Sequence, residues 1–258
     1  MTNTASQQEQ ESLDILSLFR NQTSEDLELL AVLHDREPDA HLLQQLKHAD
    51  FPQVLALKLE SEAGLQAVDL MQKAMADLPD AITTVLLDEL AADYASIYLN
   101  HNINASPEES VWLDEDSLIC QDSMFQVRSW FEKYNLEISN WRVRPDDHLV
   151  YQLQFISHLL QKDVEIETLS EAARFMDEHL LRWLGEFGIR VAQRCDTPYF
   201  AGAAALTAAY CEELRDLLAE ILQQPRPSKK EIEERMQPTT QQSEPVPVQF
   251  VPGVGPAV

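Results

Sequence analysis

Apolar side chains recur along most of the chain every three or four residues, the spacing that places them on one face of an α-helix. Short polar segments that contain proline, as at Pro38, Pro79 and Pro145, interrupt this pattern. No segment alternates apolar and polar residues as a half-buried β-strand does. The pattern therefore predicts an all-α protein in which about ten helices form a single helical globule.

Several predicted helices have recognisable starts. Serine is favoured just before a helix and proline in its first turn, so Ser24, Pro38, Pro52 and Pro145 mark four of these starts. From the N-terminus, the predicted helices cover residues 13–19, 24–33, 39–48, 52–71, 81–100, 114–134, 145–160, 167–182 or beyond, and 201–223, with one or two further turns at 229–236.

The same pattern divides the chain into five segments. Residues 1–10 are rich in Thr, Ser and Gln, a composition typical of a disordered terminus. An N-terminal helical subdomain covers residues 11–140, and a C-terminal one covers 149–223. We predict a Pro-Asp-Asp-His hinge at 141–148 between them. Residues 224–258 are rich in Pro, Gln and Val and are predicted to form a flexible tail.

The charge balance narrows the choice of partners. Acidic residues number 44 and basic residues 19, so the formal net charge is −25. Such a surface repels nucleic acid and anionic lipid. It attracts a basic partner such as an arginine-bearing peptide, although acidity can also serve solubility alone. No run of about 18 apolar residues is present, so we expect no stable membrane insertion.

Known catalytic and cofactor motifs are missing from the sequence. It has no Glu-x-x-His pair, no G-x-S-x-G and no glycine-rich phosphate loop. His34, His41 and His48 are spaced by seven residues, but Pro38 breaks the helix between the first two. We therefore predict no catalytic residue, no metal site and no cofactor.

The three cysteines and the N-terminus bear on location. Cys120, Cys195 and Cys211 stand far apart, which fits reduced thiols in a cytoplasmic protein. The first residues lack the basic and apolar regions of a signal peptide. The sequence therefore predicts a cytoplasmic protein.

An aromatic helix followed by an acidic bend is the best candidate for a binding surface. Tyr94, Ile97 and Tyr98 share one helix face, as core residues or as part of a binding groove. Asp146 and Asp147 follow Pro145, where carboxylates cap a helix or accept two hydrogen bonds from a guanidinium.

The histidine that ends this bend also has two interpretations. The His148 ring can bond to a nearby carbonyl or aspartate. Alternatively, it adds a polar contact at the mouth of an apolar pocket. Neither interpretation of this bend excludes the other.

Four motifs in order resemble one known family. They are Ser110–Asp114 with the Trp130 helix after it, Pro145–His148, Phe175–Trp183 and Thr197–Phe200. In order and spacing they resemble the TorD/DmsD-type chaperones, which mature molybdenum-cofactor oxidoreductases of the dimethyl-sulfoxide-reductase type. The resemblance covers roughly residues 11–222. Glu108 and Glu109 depart from it, because relatives often place an aromatic or small residue there.

The resemblance implies both a function and a site. Such chaperones bind the twin-arginine signal peptide, or leader, of a precursor enzyme and delay its export until the cofactor is inserted. Members are monomers or swapped dimers, and some have been described as binding guanine nucleotides. The implied leader-binding residues are Tyr94, Ile97, Tyr98, Pro107, Ser110, Trp112, Pro145, Asp146, Asp147 and His148.

Two alternatives to leader binding remain open on the sequence. One is a chaperone that acts mainly on the catalytic subunit or its cofactor, with little leader contact. The other is a nucleotide-binding hydrolase, against which the missing phosphate loop counts.

Overall fold

The computed structural model describes residues 2–114, 116–162 and 166–236, and within them the protein is all-α, as predicted. Glu108 and His148 form an isolated β-bridge, but these residues contain no named strand. The helices are α1 (Thr2–Asp35), α2 (Ala40–His48), α3 (Glu62–Ala76), α4 (Thr84–Tyr94), α5 (Ser110–Leu113), α6 (Asp122–Lys133), α7 (Leu149–Lys162), α8 (Ile166–Glu178), α9 (Leu184–Arg194), α10 (Pro198–Leu222) and α11 (Lys229–Met236).

Two short helical turns complete the list. A π-helical turn, Ala95–Leu99, continues α4, and a 3-10 turn, Leu180–Arg182, joins α8 to α9. The sequence pattern predicted α4 and this π-helical turn as one helix over 81–100. The helix predicted from residue 167 to 182 or beyond is divided into α8, the 3-10 turn and α9.

Three helix pairs dominate the core. α1 packs along α7, and α10 packs against both α3 and α9. Gly202 in α10 shows how closely α3 approaches, because a Cβ there would lie 2.9 Å from the Cα of Met71. A larger residue at this position would force the two helix backbones apart.

The N-terminal helix differs most from its prediction. α1 begins at Thr2, although we predicted disorder to residue 10, and it continues through Ser24, which we interpreted as the cap of a separate helix. The hydroxyl of Ser24 is buried and lies 2.8 Å from that of Ser157 in α7. Asp26 accepts hydrogen bonds from the backbone N–H of Ala56 and the hydroxyl of Tyr210. Tertiary contacts therefore use the polar groups that resembled a helix start.

Two other predicted helices are shorter than expected. Pro52 follows a cis peptide bond and lies among turns, and α3 begins only at Glu62, with Ser61 accepting a hydrogen bond from the Gly64 N–H. The helix predicted over 114–134 begins at Asp122, since the preceding loop takes positive φ at Ser117 and Cys120. By contrast, α2 begins as predicted, with Asp39 as its cap.

The residues of the predicted hinge lie within one compact unit. Residues 1–226 form one compact unit, in which α1 from the first predicted subdomain packs on α7 from the second. The described residues after Arg226 form a second unit, in which Ser228 accepts a hydrogen bond from the N–H of Glu231 at the start of α11. Part of the predicted tail is therefore helical, and residues 237–258 lie outside the described part of the chain.

Candidate functional site

The bend at Pro145–His148 is buried, which differs from the open position we expected. The exposed fractions of Asp146, Asp147 and His148 are 2%, 0% and 3%. Trp112 alone among the predicted leader-binding residues is partly exposed. The other nine are buried: Tyr94, Ile97, Tyr98, Pro107, Ser110, Pro145, Asp146, Asp147 and His148.

The inner side of the bend is bonded to the segment that precedes α5. Asp147 accepts a hydrogen bond of 2.8 Å from the Ser110 N–H, and its carbonyl accepts another of 3.2 Å from the Glu109 N–H. The Leu149 N–H bonds to the carbonyl of Pro107 at 2.8 Å. These bonds hold two chain segments together that are distant in sequence.

A buried polar network continues inward from the bend. The carboxylate of Glu109 lies 3.0 Å from His179 Nδ1 and accepts a 2.8 Å hydrogen bond from the side-chain amide of Gln152. The same amide donates to the carbonyl of Asp147 at 3.0 Å. All four residues are buried. The network therefore connects α5, α7 and the end of α8 through one carboxylate.

Burial changes the acidity of two carboxyls here. Because water is excluded, the pKa of Asp147 is raised to about 6. Burial likewise raises the pKa of Glu108 to about 7, against a hydrogen bond from the Ser106 hydroxyl that lowers it. The proximity of the charges of Glu108 and Asp147 adds to the elevation of the Glu108 pKa.

The aromatic face of the predicted groove is part of the core. Tyr94 and Tyr98 stack with ring centroids 4.7 Å apart. The Tyr98 hydroxyl lies 2.6 Å from His34 Nδ1, and His34 Nε2 lies 2.9 Å from the hydroxyl of Thr207. Burial lowers the pKa of His34 to about 3, so its ring stays neutral in neutral solution. These contacts agree with the interpretation of Tyr94, Ile97 and Tyr98 as core residues, not as the wall of a binding groove.

Asp146 faces a different environment from Asp147. Its Oδ2 accepts hydrogen bonds from Arg128 Nε at 2.8 Å and Nη2 at 2.5 Å. The Arg128 guanidinium also lies over two aromatic rings, 4.6 Å from the centroid of Trp141 and 5.3 Å from that of Phe125. We call this arrangement of Asp146, Trp141 and Phe125 around Arg128 the arginine clamp.

The arginine clamp borders an open cleft between α6 and the bend. This acidic cleft has a volume of about 430 Å³. Its carboxylates are Asp146 and the exposed Glu132 and Glu137. Its apolar lining consists of Phe131, Leu136, Ile138 and Trp141. A smaller cleft of about 240 Å³ shares Leu136, Glu137 and Ile138 and extends to Tyr151 and His158.

This cleft was not predicted from the sequence, although the predicted helix over 114–134 contributes one of its walls. Residues 135–144 lie between two predicted helices, and Glu132, Glu137 and Trp141 are not among the predicted binding residues. Two features of the sequence point to this region: the aromatic Trp141 in a polar link, and the acids Glu132 and Glu137 five residues apart. The pairing of Arg128 with Asp146 could not be predicted, because it joins residues 18 positions apart across a loop.

A second groove of about 400 Å³ lies between α3, α9 and α10. Small or apolar residues such as Gly185, Gly188 and Ala205 form most of its lining. Its one charged lining residue, Glu212, is paired with Arg226 at 2.7 Å. This groove therefore offers no free carboxylate to a cationic partner.

The described residues offer neither a metal site nor a membrane-spanning helix. The described residues contain no group of three or more His, Cys, Asp or Glu side chains arranged to hold a metal ion. Within the same residues, every helix is too short or too polar to cross a bilayer.

Known proteins are similar to most of this chain. The family described as "Nitrate reductase delta subunit" matches residues 65–188, a range that contains both the bend and the acidic cleft. "Chaperone protein TorD" of Vibrio vulnificus strain YJ016 is 25% identical over 204 residues, which are 76% of this chain and 94% of the relative.

Two further relatives carry the same name. That of Shewanella oneidensis strain MR-1 is 29% identical over 205 residues, or 76% of this chain and 89% of the relative. That of Actinobacillus pleuropneumoniae serotype 7 strain AP76 is 30% identical over 152 residues, or 58% of this chain and 72% of the relative.

Proposed function

Because this chain belongs to the TorD family of chaperones, we propose that it is a cytoplasmic maturation chaperone for a molybdenum-cofactor oxidoreductase. It binds the twin-arginine leader of the precursor enzyme and delays export until the cofactor has been inserted. Its action is reversible masking of the leader, without a covalent step and without a cofactor of its own.

The observation that carries this proposal is the acidic cleft. A twin-arginine leader presents two guanidinium groups followed by an apolar stretch, so its receptor needs carboxylates beside apolar surface. Asp146, Glu132 and Glu137 supply the carboxylates, and Trp141 and Ile138 lie among them. The net charge of −25 also favours encounter with a cationic segment.

In this proposal the leader binds on the outer side of the bend, whereas most of the residues implied by the family resemblance lie on its inner side. Asp147, His148 and Ser110 are buried, so they act by holding the bend in place. Asp146 belongs to both sides, because its backbone is part of the bend while its carboxylate lines the cleft. The predicted residues Tyr94, Ile97 and Tyr98 support the fold behind it.

The test is calorimetric titration of the purified chain with a synthetic leader that has two adjacent arginines and an apolar segment. The matched peptide carries two lysines instead. We expect the arginine peptide to bind more tightly, because a guanidinium can donate two hydrogen bonds to a carboxylate and stack on Trp141.

A double variant locates the site. Glu132→Gln with Glu137→Gln removes two cleft charges and should weaken arginine-peptide binding about tenfold or more, since each charge-assisted contact contributes about 1 kcal/mol. The control, Glu25→Gln with Glu89→Gln, changes the net charge equally at two exposed glutamates outside the cleft lining. Equal affinities of the two double variants would contradict the proposed cleft.

A second comparison tests the alternative client contact. The precursor enzyme and the same enzyme without its leader are each titrated with the chaperone. Leader recognition predicts strong binding of the precursor only. Equal binding of both would show that the chaperone acts on the body of the enzyme instead.

A further inference from the structure

The arginine clamp in the acidic cleft is already filled by a side chain of the protein itself. We propose that Arg128 occupies the place of a partner's guanidinium and must leave Asp146 before an arginine of the leader can bind there. This inference rests on the proposed function for the identity of the partner. The geometry around Arg128 does not depend on the proposed function.

The clamp has the composition of an arginine receptor. A guanidinium is recognised by a carboxylate in its plane and by aromatic faces over it. Around Arg128, Asp146 Oδ2 accepts two N–H bonds while Trp141 and Phe125 lie 4.6 Å and 5.3 Å from the guanidinium carbon. Lysine has a single point of charge and no flat face, so it would use only part of this arrangement.

The pair between Arg128 and Asp146 can exchange, unlike the other aspartate–arginine pair in the core. Arg215 and Asp177 form two separate bonds, and their side chains are 4% and 5% exposed. The Arg128 side chain is 26% exposed and borders the open cleft. Water can therefore solvate Arg128 once it is released, whereas released Arg215 would be a buried unpaired charge.

Exchange would also leave Asp146 paired both before Arg128 leaves and after the leader's arginine has bound. Its carboxylate is 3% exposed, so a free Asp146 is costly. An incoming arginine replaces one guanidinium by another, and the cost of the exchange is the loss of a partly exposed ion pair. Such pairs contribute at most about 1 kcal/mol, which corresponds to about fivefold in affinity.

The test removes Arg128 and compares it with a matched arginine. Arg128→Gln should bind the arginine leader peptide about fivefold more tightly than the unaltered chain. Arg142→Gln is the control, because Arg142 lies over the same Trp141 ring, also at 4.6 Å, and the charge change is identical. The control changes the net charge and one contact with Trp141 but keeps the pair of Arg128 with Asp146, so it should gain less affinity than Arg128→Gln. Arg128→Lys keeps the positive charge but lacks the paired N–H donors of a guanidinium. It should therefore bind the peptide about as tightly as Arg128→Gln does.

A second probe separates this inference from the proposed function. Acetyl-Arg-Arg-amide, which has no apolar segment, is titrated by NMR against the same variants, whose folding is checked by circular dichroism. Stronger dipeptide binding to Arg128→Gln than to Arg142→Gln supports the exchange, even if the full leader fails to bind any variant.

Two results would overturn the exchange. The first is equal gains in Arg128→Gln and Arg142→Gln, which would reduce the effect to net charge. The second is weaker binding of both probes to Arg128→Gln and Arg128→Lys with folding intact, which would make Arg128 a required part of the site. In either case leader binding by the unaltered chain would leave the proposed function standing.

Discussion

Asp146 and Asp147 are neighbours in the sequence but belong to different parts of the molecule. Both are nearly inaccessible to water, yet Asp146 is paired with Arg128 at the edge of the acidic cleft, while Asp147 accepts a backbone N–H in the interior. The pKa of Asp147 is raised to about 6 by burial. One short bend therefore has an inner side that stabilises the fold and an outer side that faces a cleft.

The largest expected effect belongs to the inner side. Glu109→Ala removes the carboxylate that His179 and Gln152 share, and leaves both buried groups without it. We expect the free energy of unfolding to fall by about 3–5 kcal/mol, as when one partner of a buried pair is removed. Urea denaturation followed by circular dichroism measures the change.

The matched substitution on the outer side is Glu137→Ala. Glu137 is exposed in the cleft, so its removal should change the free energy of unfolding by less than about 0.5 kcal/mol. Similar losses in Glu109→Ala and Glu137→Ala would contradict the division into an inner structural and an outer binding side.

The pH dependence of stability gives the next largest effect. Burial raises the folded-state pKa of Asp147 from 3.8 to about 6, and that of Glu108 from 4.5 to about 7. Both groups therefore stabilise the fold fully below about pH 4, where the folded and unfolded states are both protonated. That contribution is lost as the pH rises through about 6 to 7, because the folded state then holds buried charges.

Replacing both carboxyls isolates this contribution. In Asp147→Asn with Glu108→Gln, the gain in unfolding free energy between about pH 8 and pH 5 should be smaller than in the unaltered chain by about 4 kcal/mol. Urea denaturation at several pH values measures it. Identical pH slopes for the two proteins would show that these carboxyls titrate as they do in the unfolded chain.

A smaller effect is expected when the outer pair is broken. Asp146→Asn keeps the shape of the side chain but removes its charge beside Arg128, which is partly exposed. We expect a loss of about 1 kcal/mol in unfolding free energy, near the upper end for partly exposed ion pairs. A loss as large as that of Glu109→Ala would place Asp146 on the inner side of the bend.

The sequence alone was sufficient for the helical class and for several helix starts. Asp39 caps α2 because its side chain bonds to a backbone N–H three residues later, a local interaction that propensity captures. α10 ends at Leu222, before Pro225, as predicted. Such features depend on neighbours in sequence, which is why they could be read directly.

The burial of the bend could not be predicted from neighbouring residues in the sequence. Asp147 and His148 are polar and follow a proline, so local rules place them at an accessible helix start. They are buried because Glu109 and Ser110 bond to the bend from almost forty residues earlier. Likewise Ser24 looked like a cap, but its hydroxyl contacts Ser157. Contacts between distant segments decide these positions.

The most direct test of the two-sided bend is to titrate Asp146→Asn and Asp147→Asn with the arginine leader peptide. Asp146→Asn should weaken binding about tenfold, because the peptide loses a charged partner in the cleft. Asp147→Asn should stay within about twofold of the unaltered chain, because the carboxylate it replaces lies inside the fold. Strong loss in Asp147→Asn together with unchanged binding by Asp146→Asn would contradict this account.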